Sequence, residues 1–285
     1  MTLAVVWKIE DRLMAAADTR IIKSAGNVLT EHGPKLLPVN VVCRQCPPEG
    51  GRFDREVYRA SVGFAYSGAT LTALAAHALC NTLLSNLNAP PGAPLPSLRD
   101  IADFFAGVSA QYIREIGQRS GLNGLFAAIL FGFCPSQRSF RAFSLRPNFD
   151  DGVHVLVTEH ALSDIAVGGS CDASCVVIGS SPRQLADAID ADLALRKEWG
   201  LEHPATVRDV PKRELRRLID RGSDDAVGGS VQLAWATPSE FKVVSNMEPL
   251  AAEAASGRKV GFFVLGFDTF DLQRVGSYLV GVDGL

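Results

Sequence analysis

Thr2-Leu3-Ala4-Val5-Val6-Trp7-Lys8-Ile9, then Glu10-Asp11-Arg12, then Leu13-Met14-Ala15-Ala16-Ala17-Asp18-Thr19-Arg20: this opening decides how the chain is read. An apolar run carrying β-branched and aromatic residues, a short polar turn and a second apolar run predict a hairpin that begins at the N-terminal end. Such a hairpin returns Asp18 to the neighbourhood of Thr2. Two further strands are predicted at Lys35–Val42 and Val57–Ser67, separated by the turn-forming run Cys46-Pro47-Pro48-Glu49-Gly50-Gly51.

Beyond them the period changes. Leu71, Leu74, Ala75, Ala78, Leu79, Leu83 and Leu87 recur at spacings of three and four, which predicts a helix from about Ala69 to Leu87. Asn88-Ala89-Pro90-Pro91-Gly92-Ala93-Pro94 ends it, and Ser97 reads as the N-cap of a second helix reaching about Ser120. A hairpin over Gly121–Asn148 follows, then a short strand at Ser174–Ile178, helices at Arg183–Glu198 and Pro211–Arg221, and strands at Val231–Trp235, Phe241–Val244 and Val260–Phe267. Strand blocks alternating with helix pairs predict an α+β fold, a four-layer αββα sandwich, rather than a doubly wound sheet. One domain is expected over residues 2–250, with an insertion at about 40–56 and a C-terminal extension, 251–285, packing on the same domain.

Composition narrows the function. The 285 residues are 47% hydrophobic and 21% charged, and Lys+Arg 28 against Asp+Glu 31 leaves a net charge of −3. That balance offers no footprint for nucleic acid or an anionic membrane surface. The start lacks a basic segment followed by a long apolar core, and the uncharged stretch Ala60–Leu98 is broken repeatedly by polar residues, so no membrane span is expected. Six cysteines (43, 46, 80, 134, 171, 175) suit a reducing compartment, and the expected location is cytoplasmic.

The candidate chemistry is amide hydrolysis by an N-terminal threonine. A hydroxyl needs a base to become a nucleophile, and a free α-amino group, with an ordinary pKa near 8, can serve at neutral pH. A nearby ammonium keeps that pKa low, a carboxylate holds the ammonium, and a backbone N–H meets the developing oxyanion. The sequence supplies these parts in order: Thr2, Asp18, Lys35 in Gly33-Pro34-Lys35-Leu36, and Gly68 at a strand–helix junction in Tyr66-Ser67-Gly68. Removal of Met1 would free the Thr2 amine. Each residue also has a plainer reading. Asp18 alone is a strand-end turn residue, Lys35 a solvated strand edge, Gly68 a junction where no side chain fits, and Arg20 a brace for Asp18 or the loop after it.

The run Thr2–Val39, with its Ala-Ala-Asp-Thr-Arg element, resembles the opening of proteasome β-subunits and their bacterial relatives, and the Ser67-Gly68 junction is similar too. Ile178-Gly179-Ser180-Ser181 resembles that family's Gly-Ser-Gly-Ser turn, and Asp225-Ala226-Val227-Gly228-Gly229 its Arg-Asp-x-x-Ser-Gly element. The resemblance spans roughly Thr2–Val244. It implies the fold above, site roles for Ser180 and Asp225, and a substrate pocket of Ile21, Gly33, Tyr66 and Thr70, Tyr66 narrowing it toward small or apolar side chains. It also implies ring or other self-assembly and peptide or unfolded-protein substrates; an ATPase partner is left open. The sequence departs from the pattern in an extra residue between Asp18 and Lys35, about twenty extra residues before Gly68, and Gly228 where the family has serine, with Ser230 or Ser223 as stand-ins.

Cys43-x-x-Cys46 invites a redox or zinc reading, but the segment after it does not continue as a helix, and Cys171 and Cys175 lie far off in sequence. The five histidines form no i,i+4 metal pair, and no phosphate loop or dinucleotide fingerprint is present. No metal or cofactor is expected. The sequence therefore reads as a threonine peptidase. A small-molecule amidase or acylase of the same chemistry, or a catalytically silent structural subunit, stands as the alternative.

Overall fold

The computed structural model describes residues 2–24, 27–47, 50–201, 203–249, 259–269, 274–275 and 277–279. The opening hairpin forms as β1 (Leu3–Ile9) and β2 (Arg12–Asp18), with Ala4 opposite Ala17. A short hairpin follows, β3 (Ile21–Ser24) and β4 (Asn27–Thr30). The long pair β5 (Leu36–Gln45) and β6 (Arg55–Gly68) comes next. The ladder between them continues out to Gln45 opposite Arg55, so the ends of the expected 40–56 insertion extend that hairpin.

Helix α1 (Thr70–Leu84) leads through β7 (Leu87–Ala89) to α2 (Leu98–Ser120). Ser97 caps α2 in a reciprocal box: its Oγ accepts from the Asp100 N–H, and its own N–H donates to the Asp100 carboxylate at 2.8 Å. Next come β8 (Phe126–Cys134), β9 (Ser139–Asn148), β10 (His154–His160), α3 (Cys171–Ser174) and β11 (Cys175–Gly179). The chain continues with α4 (Pro182–Glu198), α5 (Pro204–Val207), α6 (Val210–Arg221), β12 (Val231–Ala236) and β13 (Phe241–Val244). It closes with β14 (Asn246–Pro249), β15 (Val260–Val264) and β16 (Phe267–Asp268), a small antiparallel sheet. Residues 251–258 and most of 270–285 of the expected C-terminal extension lie outside the described residues.

The protein is thus mixed α/β, built on two principal sheets. One runs β11-β1-β2-β12-β13, the other β10-β9-β8-β6-β5-β7, antiparallel apart from the β5–β7 edge pair. Side-chain alternation sorts β1 between two cores. Leu3, Val5 and Trp7 face α4 and α6, packing with Leu185, Ile189, Leu193 and Leu215. Ala4 and Val6 face the other sheet, meeting Ala65, Ile129, Phe131 and Ala142. Both faces of the strand are covered, which is why its sequence is a continuous apolar run instead of alternating.

A third core joins the six-stranded sheet to α1 and α2 through Phe64, Tyr66, Phe105, Ile113, Leu130 and Phe143. Burying each such aromatic or leucine contributes on the order of 1.5–3 kcal/mol. No helix among the described residues is long and apolar enough to cross a membrane.

Candidate active site around Thr2 and Lys35

Thr2 precedes β1 and is fully buried, as are Asp18 at the end of β2 and Lys35 just before β5, which is 1% exposed. The Lys35 ammonium donates a hydrogen bond to the Thr2 hydroxyl. It also lies 5.7 Å from the centroid of the Tyr66 ring, a favourable cation–π placement. Burial holds the Lys35 pKa below its usual value, and the negative charge of Asp18 partly offsets this.

Asp18 departs from the role expected of it. Among the described residues its carboxylate makes no ion pair with Lys35. Its Oδ1 accepts from the Leu3 N–H at 2.9 Å, and its Oδ2 accepts from the Arg20 and Gly228 N–H groups at 3.2 Å each. Asp18 therefore ties the start of β1 to the segment before β12 and acts on Lys35 through charge alone. Desolvation pushes its pKa up to about 6, against the opposing pull of Lys35 and these backbone donors.

The backbone at Lys35 is held by Gln232 on β12, which the sequence reading did not single out. Its Oε1 accepts from the Lys35 N–H at 2.8 Å and the Leu36 N–H at 2.9 Å, and its Nε2 donates to the Leu36 carbonyl at 2.9 Å. A glutamine buried in an otherwise apolar strand, Val231-Gln232-Leu233-Ala234, was the available signal. Ser67 was missed as well; its hydroxyl donates to the Thr2 carbonyl at 3.1 Å.

Gly68 closes β6 at φ +105°, where a Cβ would lie 2.5 Å from the Leu125 carbonyl oxygen, so only glycine fits between β6 and β8. Of the expected pocket residues, Ile21 packs its side chain against Gly33, where a Cβ would come within 2.2 Å of it. The Tyr66 hydroxyl donates to the Pro34 carbonyl at 2.9 Å and is hydrogen-bonded to Thr70, and burial raises its pKa to about 12. Ile21 and Tyr66 thus meet the segment that delivers Lys35, and Thr70 reaches it through Tyr66.

The other flank is different. The Ser180 N–H donates to the Thr2 carbonyl at 3.0 Å, but its buried hydroxyl has no hydrogen-bond partner among the described residues. It borders a cavity of about 10 Å³ with Leu3, Gln184, Ser223 and Asp224, roughly the room of one water. Asp225 does not enter the site. It is exposed and offers its carbonyl to the Arg20 guanidinium at 3.0 Å.

Arg20 also explains Gly228. A Cβ there would lie 2.2 Å from the Arg20 Cζ, so the guanidinium, paired with Glu31 at 3.0 Å, fills the space a serine would need. Of the two stand-ins, Ser230 is tied through its backbone N–H to the Thr19 hydroxyl at 2.7 Å, and Ser223 is exposed at the edge of the small cavity beside Ser180.

The cysteine pairs do not converge. Cys43 belongs to the core under α1 and α2, whereas Cys171 and Cys175 belong to the core under α4 and α6. A cavity of about 590 Å³ sits at the β1–β2 turn, bordered by Ile9, Arg12, Met14 and Ile165, and none of the candidate catalytic or substrate-pocket residues lines it.

Comparison with known proteins gives no family model that matches the chain and no curated protein that matches it. Solved structures do match. An Anbu (Gly-1) mutant from Hyphomicrobium sp. strain MC1 superposes with a TM-score of 0.54 at 18% identity, covering 90% of each chain. Anbu, described as an ancestral beta-subunit, from Yersinia bercovieri gives 0.52 at 16%, covering 82% of this chain and 80% of that one. The helical assembly of the Anbu complex from Pseudomonas aeruginosa gives 0.55 at 14%, covering 89% and 88%. These findings overturn the assignment to the proteasome β-subunits drawn from the sequence motifs: no family model or curated protein supports it, and the three solved structures named above are Anbu proteins at 14–18% identity. What the chain shares with Anbu proteins is the fold.

Proposed function

We propose that this chain is an amide-bond hydrolase whose nucleophile is the Thr2 hydroxyl, active once Met1 is removed. The observation that carries the reading is the buried Lys35 ammonium hydrogen-bonded to the Thr2 hydroxyl, with Asp18 supplying the compensating negative charge. A buried lysine that touches a threonine hydroxyl has little structural value, because desolvating the ammonium is costly. It has chemical value: it favours the alkoxide, and by like-charge repulsion it keeps a free Thr2 amine neutral and basic.

In the proposed cycle the Thr2 amine takes the hydroxyl proton, Oγ1 attacks the substrate carbonyl, and the backbone N–H at Gly68 meets the oxyanion. The amine then returns the proton to the leaving nitrogen, giving an ester that water hydrolyses. Ile21, Gly33, Tyr66 and Thr70 would receive the side chain beside the scissile bond. We read the three cores as the αββα order, with residues 2–250 as one domain and the C-terminal segment packed on it, and we place the protein in the cytoplasm.

A second reading, a silent structural subunit, is favoured by the flank around Ser180, where the hydroxyl has no hydrogen-bond partner among the described residues, Asp225 is exposed and Gly228 has no side chain. The structural neighbour described as a helical assembly makes self-association the corresponding role, as a homo-oligomer. The two readings separate on turnover. Processed protein should release the fluorophore from a panel of acyl and peptidyl amides, and the Thr2→Ala variant should not. Absence of turnover across the panel by protein shown to begin at Thr2 would leave the structural reading.

A further inference from the structure

The segment Glu31–Lys35 is tethered residue by residue. The Glu31 carbonyl accepts from the Thr19 hydroxyl, the Gly33 N–H donates to the Thr19 carbonyl at 2.7 Å, the Pro34 carbonyl accepts from Tyr66, and the Lys35 N–H donates to Gln232. These four tethers come from the two principal sheets and the strand ends beside them. The tether at His32 comes from the C-terminal strands instead. Its Nδ1 lies 2.8 Å from the Leu265 carbonyl oxygen, so that nitrogen carries the proton and donates. Its ring packs on Phe267 with centroids 4.3 Å apart and 36° between planes.

The turn that makes this contact is shaped for it. Leu265 at φ 54° and Gly266 at φ +81° join β15 to β16 in the left-handed pair that tight hairpins use. Leucine is a poor occupant of the first position, and the strain is tolerated where surrounding contacts fix it. A Cβ on Gly266 would lie 2.8 Å from the His32 Nδ1 and 3.4 Å from the Ser230 Cβ. The turn therefore lies against His32 with no room for a side chain at Gly266.

We propose that the β15–β16 turn is a positioning clamp on the Gly33–Pro34 wall of the candidate substrate pocket, acting through His32, Leu265 and Phe267. Lys35 is anchored independently by Gln232, so the clamp governs how a substrate side chain is received and leaves the chemistry at Thr2 alone. The ligand class is an acyl or peptidyl amide with an apolar side chain beside the scissile bond, received at the Gly33–Pro34 segment as the Ile21 side chain packed over Gly33 moves aside. The kinetic part of this inference rests on the Thr2 hydrolase reading; the clamp itself does not.

The test uses the full chain and the variant Phe267→Ala, whose side chain is 48% exposed, with Gly266→Ala as a second route to the same loosening. Hydrogen exchange should quicken several-fold at the Gly33 amide and stay within about twofold at the Lys35 amide, because the two are tethered separately. Two electrophiles with one warhead, one bearing a leucine-like side chain and one bearing none, should then diverge. The first should need a roughly 3- to 10-fold higher half-saturating concentration with its saturated rate unchanged, and the second should react within about twofold of the parent. Equal loss for both reagents, or no change for either, overturns the clamp. If the parent protein reacts with neither reagent, the hydrolase reading has failed and the exchange measurement alone decides: unchanged exchange at Gly33 overturns the clamp, quickened exchange supports it.

Discussion

On the side of Thr2 that faces β2 and β5, buried polar groups are matched. Asp18 takes three backbone N–H groups, Gln232 secures Lys35 and Leu36, and the Lys35 ammonium meets the Thr2 hydroxyl. On the side that faces β11 and α6, the Ser180 hydroxyl has no hydrogen-bond partner among the described residues, Gly228 has no side chain, and Asp225 is exposed. The first side carries the groups that would generate a nucleophile. The second carries backbone contacts to Thr2 and Asp18 and little side-chain chemistry. Under the hydrolase reading proposed above, the contrast implies that labelling of Thr2 should depend on Lys35 and Asp18 and be nearly indifferent to Ser180 and Asp225.

The largest expected effect is from Lys35→Met. Covalent labelling of Thr2 should fall by at least about 100-fold, because one member of a coupled unit is lost. Thermal stability should hold or rise, since an apolar chain of similar size replaces a desolvated charge. A rate within about fivefold of the parent would break the comparison on its stronger side.

Asp18→Asn should cost labelling about 10- to 100-fold by removing the charge that favours Lys35 as an ammonium. It should also destabilise the fold by about 1–3 kcal/mol, since the amide nitrogen would face the Arg20 or Gly228 donors, measurable by urea unfolding.

Acidity should separate activity from stability. With the Asp18 pKa raised to about 6, labelling should fall as pH drops through about 6, where the carboxylate takes up a proton. Stability should move the other way. The unfolded carboxyl ionises near its ordinary value of 3.8, so this group favours the folded state most below that pH and loses its contribution as pH rises through about 6. Asp18→Asn should flatten both trends.

The smallest effects belong to the other side. Ser180→Ala should change labelling by no more than about threefold and leave stability level or slightly raised, since an unpaired buried hydroxyl is removed. Asp225→Ala should be silent in both. A loss of about 100-fold from Ser180→Ala would show that this flank works as a proton relay after all.

The legibility of these features follows the same divide. The β1–β2 hairpin and the order Thr2, Asp18, Lys35, Gly68 could be read because strands covered on both faces are continuous apolar runs, so a charge at a strand end stands out. The β3–β4 hairpin was not anticipated. Ile21-Ile22-Lys23-Ser24 and Asn27-Val28-Leu29-Thr30 are short, largely open to solvent and weakly patterned.

The turn from Asp225 to Gly229 was misjudged because its chemistry is set by a side chain 208 positions away in sequence: Arg20 occupies the space above Gly228 and draws in the Asp225 carbonyl. Nothing in that local motif announces it. The same limit applies to the family assignment: short co-linear motifs did not carry membership, and the Anbu structures that share a related fold are only 14–18% identical to this chain. The contact of His32 with Leu265 was likewise invisible, being a pairing of two loops with no periodic signature.

The most direct test of the account is the intact mass of the purified protein before and after treatment with a peptidyl epoxyketone, which captures an amine and a hydroxyl on one residue. The account predicts a chain lacking Met1 that gains one reagent mass, with the adduct on Thr2 and none on the Thr2→Ala variant. A chain shown to begin at Thr2 that gains no mass, or equal labelling of the Thr2→Ala variant, would contradict it.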